Sequence, residues 1–418
     1  MAELMHLMRP GTLQLPALPP LALYVHLPWC LRKCPYCDFN SHELVAAPRT
    51  PSASAPQGGA AGLGRPGASP SGLAPDTAAA YPAALRADLE AALPLIWGRP
   101  VVSIFIGGGT PSLFNPEQIA ELISDIRARL PLEPGCEITL EANPGTFERE
   151  RFKGFRDAGV TRLSVGVQSF DNAQLKTLGR VHNAEQAREA LTEAAASFET
   201  FNLDLMYALP GQTLDDLSRE LDTALSFKPP HLSIYHLTIE PNTVFATRTP
   251  AGLPDPDLAS DMLDLITART GANGLARYEV SAFARDGHRC THNLNYWQFG
   301  DYLGIGAGAH SKLSFPNRVL RQVRWREPAA FMAQANKVSN EHEVARKDLP
   351  FEFMLNALRL KDGITLTQFL ERTGLPVSAI SAGLQTARGR GLLTPDPARI
   401  QPTERGFDFL SDLQQLFL

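Results

Sequence analysis

Long apolar runs are missing from this chain. No stretch reaches the about eighteen consecutive apolar residues that a membrane-spanning helix needs. An excess of positive charge is missing too: 39 Lys and Arg stand against 44 Asp and Glu, a net charge of −5. A general nucleic-acid binder needs a basic surface, so that class is excluded and no nucleic acid is expected as a partner. The first twenty residues carry no charged segment leading into a continuous apolar one, so no secretory signal is read there. Cysteine is scarce, at five residues in 418, which suits a reducing compartment and a cytoplasmic setting. What remains is an ordinary globular composition, long enough for one large α/β domain and one or two smaller ones.

Three of the five cysteines nevertheless crowd together. Cys30, Cys34 and Cys37 form a C-x3-C-x2-C loop directly after the apolar run Leu21–Leu27. Thiolates are the preferred ligands of iron–sulfur clusters. A four-iron cubane held by three cysteines leaves one iron open, as a substrate-binding or catalytic centre requires. Two rivals use the same residues. Cys34-Pro-Tyr-Cys37 has the spacing of a thiol–disulfide exchanger, and a zinc site would recruit His42 or Asp38 as fourth ligand. Cys136 and Cys290 are isolated and read as core or loop residues.

Residues 1–20 read as a loose extension. Between 45 and 75 the chain turns to Ala, Pro, Gly and Ser, with Arg49 and Arg65 its only charged residues, and a disordered insertion is expected. Beyond it, helical stretches near 77–93, 116–130, 147–158, 183–197 and 213–227 alternate with apolar runs. The runs are Val101–Ile106, Glu137–Leu140, Arg162–Val167, Phe201–Met206 and His231–Leu237. With Leu21–Leu27 they make six strands separated by helices, the pattern of parallel βα units. Right-handed crossovers would curl six such units into a partial, TIM-like (β/α)6 barrel over 21–240.

Polar residues gather where those strands end, which is where barrels build active sites. The cysteine loop follows the first strand and Gly107-Gly108-Gly109-Thr110 the second. Glu141-Ala-Asn143-Pro144 follows the third and Gln168-Ser169-Phe170 the fourth. Asp204 lies at the fifth, and Tyr235-His236-Leu237-Thr238 at the sixth. The glycines allow close backbone approach and offer N–H groups to an anion, but no G-K-[ST] follows, so this is not a nucleotide phosphate loop. Carboxylates can accept from ribose hydroxyls or an ammonium group, and an arginine can fork onto a carboxylate.

These motifs together resemble the radical S-adenosylmethionine (SAM) superfamily, whose cluster loop is C-x3-C-x2-C with an aromatic, here Tyr36, before the third cysteine. Tyr24-x-His26-x-Pro28 resembles the branch that contains oxygen-independent coproporphyrinogen III oxidase and the HemW-like haem chaperones. The resemblance implies a [4Fe–4S] cluster on Cys30, Cys34 and Cys37, with SAM chelating the open iron. It implies SAM contacts from Tyr24, Tyr36, Gly108, Gly109, Thr110, Glu141, Gln168, Arg180 and Asp204, with Thr238 and His310 aligning loosely with further contacts. Reductive cleavage of SAM to methionine and a 5′-deoxyadenosyl radical is the implied chemistry. No flavin fingerprint is present, so a one-electron donor, flavodoxin or ferredoxin, is an implied partner.

Past residue 240 the rhythm changes. An α+β extension over 241–345 is expected to hold a helix at 257–271, a strand at Arg277–Ala284 and the glycine run Gly304 to Gly308. His292-Asn293-x-x-Tyr296-Trp297 resembles the motif proposed for haem in HemW-like proteins: His and Tyr can ligate iron, and Trp can stack on a macrocycle. A polar turn packed on the barrel is the alternative for the same residues. Arg321, Arg324 and Arg326 would face propionates or form a solvated basic face. Residues 346–418 read as a small winged-helix-like domain, an accessory or partner-binding module. The coproporphyrinogen oxidases carry a further cysteine where this chain has Phe39. That difference favours a haem chaperone, handing haem to client proteins with at most peripheral membrane contact, over the alternative, oxidative decarboxylation of coproporphyrinogen III.

Overall fold

Residues 13–44, 75–145 and 151–418 are described by the computed structural model of the protein. The expected insertion falls outside them, apart from its last position. Six strands appear where apolar runs predict them: β1 (Leu21–Leu27), β2 (Val101–Gly108), β3 (Leu132–Ala142), β4 (Arg162–Gln168), β5 (Thr200–Tyr207) and β6 (His231–His236). Neighbours in this series pair in parallel throughout. Helices α1 (Pro75–Ile96), α2 (Pro116–Arg127), α3 (Phe152–Asp157), α4 (Asn172–Thr177), α5 (Ala184–Ser197) and α6 (Leu214–Ser226) connect them.

Local chemistry explains these elements. Asn115, Asn183 and Thr213 each open a helix with a reciprocal capping box, and Pro116 supplies the preset first-turn dihedral of α2. In α2, Ile119, Leu122, Ile123 and Ile126 form the buried stripe, each worth roughly 1.5–3 kcal/mol of burial. Along β1, Leu21, Leu23, Val25 and Leu27 face the helices in the main core. The alternate residues, Tyr24 and His26 among them, therefore face the concave interior. That interior is polar in most strands, whereas the helix-facing side is apolar.

The sheet continues beyond the six strands. Its further members are β7 (Ala276–Arg277), β8 (Ala282–Ala284), β9 (Asp301–Ile305), β10 (His310–Phe315), β11 (Arg318–Arg324) and β12 (Val338–Glu343). The order is β12-β11-β10-β9-β1-β2-β3-β4-β5-β6-β8-β7, an open sheet. Two expectations change here. The strand expected over Arg277–Ala284 is a tight antiparallel pair, β7 and β8. The segment expected to be a glycine run outside the barrel is in part β9, a seventh parallel strand registered against β1 from Leu21↔Asp301 to Val25↔Ile305. Gly304 disguises it: a Cβ there would collide with the His310 carbonyl, so glycine reflects close packing within the sheet rather than a loop.

Residues 349–418 form a second core around Phe353, Met354, Phe369, Leu384, Ile400 and Leu413. Leu13 and Leu15 belong to it, so the extension expected to be loose is anchored at these residues, and Leu15 N–H donates to the Pro316 carbonyl at 2.9 Å. Within it Ile364–Thr365 pairs antiparallel with Arg399–Ile400, and Leu393 bridges Pro402. Among the described residues no helix is long and apolar enough to cross a membrane.

Candidate functional site

The carboxyl ends of β1 to β6 surround a cavity of about 410 Å³. Cys30, Cys34 and Cys37 line one side. Gly108, Gly109, Thr110, Glu141, Gln168, Arg180 and Asp204 line the rest, with Tyr36 among them. The cysteine loop is held by its backbone. Trp29–Cys30 pairs with His42–Glu43, and Gly109 N–H and Thr110 N–H donate to the Leu27 and Trp29 carbonyls at 2.8 and 2.7 Å. A Cβ on Gly109 would lie 2.5 Å from that Trp29 oxygen, and one on Gly108 (φ +113°) 2.5 Å from the His26 ring. These glycines are therefore needed by the loop's close approach to β2.

Tyr24 anchors the loop indirectly. Its hydroxyl donates to His26 Nδ1 at 2.9 Å, and His26 Nε2–H donates to the Asn40 carbonyl at 2.9 Å. Burial depresses the His26 pKa to about 4, so the ring is neutral and this tautomer persists. Asn40 in turn donates to the Ala307 and Arg326 carbonyls at 3.0 and 2.9 Å, tying the loop to the turn after β9. His26 belongs to the Tyr24-x-His26-x-Pro28 motif, whereas Asn40 carries no chemical signature in the sequence that would single it out.

Arg180 crosses from the other side. It donates to Cys34 Sγ at 3.5 Å, the Gly166 carbonyl at 2.7 Å and Asn143 Oδ1 at 2.5 Å, while its Nε has no partner among the described residues. Asn143 links Arg180 to Thr110 Oγ1, 3.0 Å away. It belongs with the site residues, and only its place in the strand-end cluster hinted at that. Gln168 adopts φ 72° at a register shift in β4, a left-handed conformation that non-glycine residues hold only when their surroundings enforce it.

Glu141 accepts from Gly108 N–H at 3.0 Å, and burial, helped by Asp204, raises its pKa to about 7. Burial raises Asp204 as well, against hydrogen bonds from Asn202. Two carboxylates thus face a cavity whose wall also carries Arg32 and Arg180, so it presents both signs of charge to a ligand.

All three thiols are free, and burial pushes those of Cys30 and Cys37 up, against hydrogen bonds from Thr110 and Ser41 to Cys30. Metal binding would displace their protons. Among the described residues no group of three or more His, Cys, Asp or Glu closes on a point as one metal ion requires. His42, the candidate fourth zinc ligand, lies against Glu327 at 3.8 Å. A cubane suits the loop better, because each thiolate binds a different iron and the sulfurs stand apart.

Residues 24–224 match the radical SAM superfamily, and 344–409 match the HemN C-terminal domain. The "Heme chaperone HemW" of Escherichia coli K12 is 44% identical over 403 residues, covering 96% of this chain and 99% of the relative. The chain belongs to the HemW family. The protein of the same name from Haemophilus influenzae is 43% identical over 97% of this chain, and that from Mycobacterium tuberculosis 37% over 86%. The solved structure of E. coli coproporphyrinogen III oxidase, HemN, superposes with a TM-score of 0.75 over 100% of this chain and 92% of its own. At 23% identity it establishes the shared fold alone.

The haem-motif residues lie elsewhere. They form α7 (Thr291–Trp297), a short helix at the amino ends of β2 and β3, opposite the cysteines. Glu137 caps it, accepting from Thr291 N–H and His292 N–H at 3.1 Å each. His292 is buried and shares a 3.1 Å hydrogen bond with Ser103. Tyr296 stacks on Tyr302 with ring centroids 4.1 Å apart, while Arg359 covers Trp297 at 4.2 Å. Helical spacing sends His292 and Tyr296 to one face and Asn293 and Trp297 to another, so the four do not converge as one ligand set. Arg321 is paired with Glu352 and Tyr302, and Arg324 is buried on Asp88 at 3.1 Å, so these two form no solvated basic face. His310 is exposed at the start of β10, and Thr238 lines the cavity.

Proposed function

We propose that this protein is a haem chaperone that carries a [4Fe–4S] cluster, binds SAM beside it, and passes haem to client proteins. The observation that carries this reading is the meeting of three free thiols with the strand-end residues around one cavity, in a chain 44% identical to a heme chaperone. Cys30, Cys34 and Cys37 would hold the cluster, which when bound supplies one electron at a time from a flavodoxin- or ferredoxin-like donor. Gly108, Gly109 and Thr110 bound the methionine end of the SAM pocket. Glu141 and Asp204 set two carboxylates for its amino and hydroxyl groups, with Gln168 between them. Arg180 holds Cys34 and the end of β4 at fixed distance, Tyr36 lines the wall, and Tyr24 acts from behind it through His26.

Phe39 stands 61% exposed at the position where coproporphyrinogen oxidases carry another cysteine, so it offers no further ligand. The test is paired. Anaerobically reconstituted protein should bind iron and sulfide in equal amounts, take up haem, and transfer it to an apo haem protein. The same preparation given coproporphyrinogen III, SAM and reductant should release no carbon dioxide. Decarboxylation without haem transfer would replace this reading with the oxidase.

A further inference from the structure

A second cavity, about 640 Å³, opens between the β6–β8 edge of the barrel and the C-terminal domain. Its volume lies within the roughly 300–1,000 Å³ of small-molecule sites. Aromatic rings line it: Tyr207, Trp297, Phe407 and Phe409. Leu355 and Phe409 stand 44% and 54% exposed on its rim, large apolar surface left to water. Two guanidiniums face it, Arg277 lying 4.8 Å over the Phe407 ring and Arg359 4.2 Å over Trp297. Arg277 donates to the Val280 carbonyl at 2.7 Å and Arg359 to Glu279 at 3.1 Å, each with further N–H groups; Asp408 and Asp412 also line the cavity. Arg277 Nε, Arg359 Nε and Trp297 Nε1 have no hydrogen-bond partner among the described residues.

His236, at the carboxyl end of β6, lines both this cavity and the thiol-lined one. Its ring stands edge-on to Tyr207, centroids 5.3 Å apart, and makes no hydrogen bond to any described residue. Burial lowers its pKa from 6.5, leaving a neutral imidazole with a free lone pair. His292, by contrast, is buried and already bonded to Ser103.

A ligand matching this wall is flat and apolar, carries carboxylates for two arginines, and has a metal that accepts an imidazole. We propose that haem is held in this cleft, with His236 as axial ligand and Arg277 and Arg359 facing its propionates. The proposal rests on the chaperone reading and gives it a location. Only the His236 wall would then separate the cargo from the thiol-lined cavity, and Trp297 is the member of the His292–Trp297 motif that reaches the cleft.

The experiment is a haem titration of the full-length protein, followed through the Soret band and electron paramagnetic resonance. Wild type should bind saturably. His236→Ala should weaken binding roughly tenfold or more, about 1.4 kcal/mol, and Arg277→Gln with Arg359→Gln should do likewise. His236→Cys should shift the Soret band and the resonance to those of a thiolate-ligated iron, a change that a merely structural role would not produce. His236→Gln keeps most of the side-chain volume and separates a lost ligand from a lost fold. Saturable binding with an unchanged spectrum in His236→Cys and unchanged affinity in the arginine pair would overturn the cleft and leave the chaperone reading intact. Absence of haem binding by wild type would overturn both.

Discussion

The two mouths of the barrel are both lined with polar side chains, and they differ in what those side chains face: one another at the amino end, a cavity at the carboxyl end. At the amino end, His231 donates to Asn202 Oδ1 at 2.6 Å and accepts from Tyr278 at 2.9 Å, and Ser233 also donates to Asn202. Glu137 caps α7, and His292 closes onto Ser103. At the carboxyl end three thiols outside any disulfide line a cavity, Arg180 reaches Cys34 across it, and Gln168 holds a left-handed dihedral. Buried polar groups cost free energy unless they are hydrogen-bonded, so a network that closes on itself stabilises the fold. Among the described residues each end keeps an unpartnered guanidinium Nε, that of Arg162 at the amino end and that of Arg180 at the carboxyl end. Residue type alone does not separate the two ends. Whether the side chains turn on one another or on a cavity does.

The sharpest way to break the comparison is at the cysteines. Replacing Cys30, Cys34 and Cys37 with Ala should abolish iron and sulfide uptake on reconstitution, while the melting temperature of the metal-free protein changes little, because all three are only partly buried. Retained cluster content would remove the functional reading of the carboxyl end. Gly109→Ala comes next. Its Cβ would press on the Trp29 carbonyl at 2.5 Å, so the cysteine loop must shift and iron uptake should fall several-fold. Normal uptake in that variant would show that the loop tolerates displacement.

The strands and the strand-end clusters were legible because parallel strands buried on both faces read as short apolar runs, and β1 to β6 lie within a few residues of those runs. β9 was hidden because it is five residues long and carries Gly304, which packs where a side chain cannot. Asn40 was hidden for another reason: its side-chain partner, the Ala307 carbonyl, lies 267 positions away and leaves no local pattern. The His292–Trp297 motif marked a real element, yet its chemistry depends on where a helix turns each residue, which spacing alone does not state. Arg324 read as a surface cation because its buried partner, Asp88, sits on a distant helix.

Weakening the amino end should change stability without touching the cysteines. Glu137→Ala leaves two helix N–H donors unmet and should cost about 2 kcal/mol, read as a lower melting temperature, with reconstituted iron content unchanged. A lowered iron content at equal stability would mean that the two mouths are coupled, and would weaken the division drawn here.

The smallest effect is a difference in pH dependence. Glu141 has a folded pKa of about 7 against an ordinary 4.5, so between those values the folded state holds a proton that the unfolded chain releases. Stability from this group is present below about 4.5 and falls as pH rises towards 7, by at most about 3 kcal/mol. His292 runs the other way. Its folded pKa of about 3 against 6.5 means that its contribution is complete above 6.5 and is lost as pH falls towards 3. Between 4.5 and 6.5 the two slopes oppose each other, and His26 and His182, whose pKa values burial lowers to about 4 and about 3, add to the His292 side, so the wild-type profile alone does not isolate Glu141. Urea unfolding of Glu141→Gln and wild type at about pH 5 and about pH 8 separates them: the variant should gain relative stability at the higher pH, by roughly 1–3 kcal/mol. Parallel profiles would mean that Glu141 is already ionised and solvated at neutral pH, and that the carboxyl mouth is less desolvated than its geometry implies.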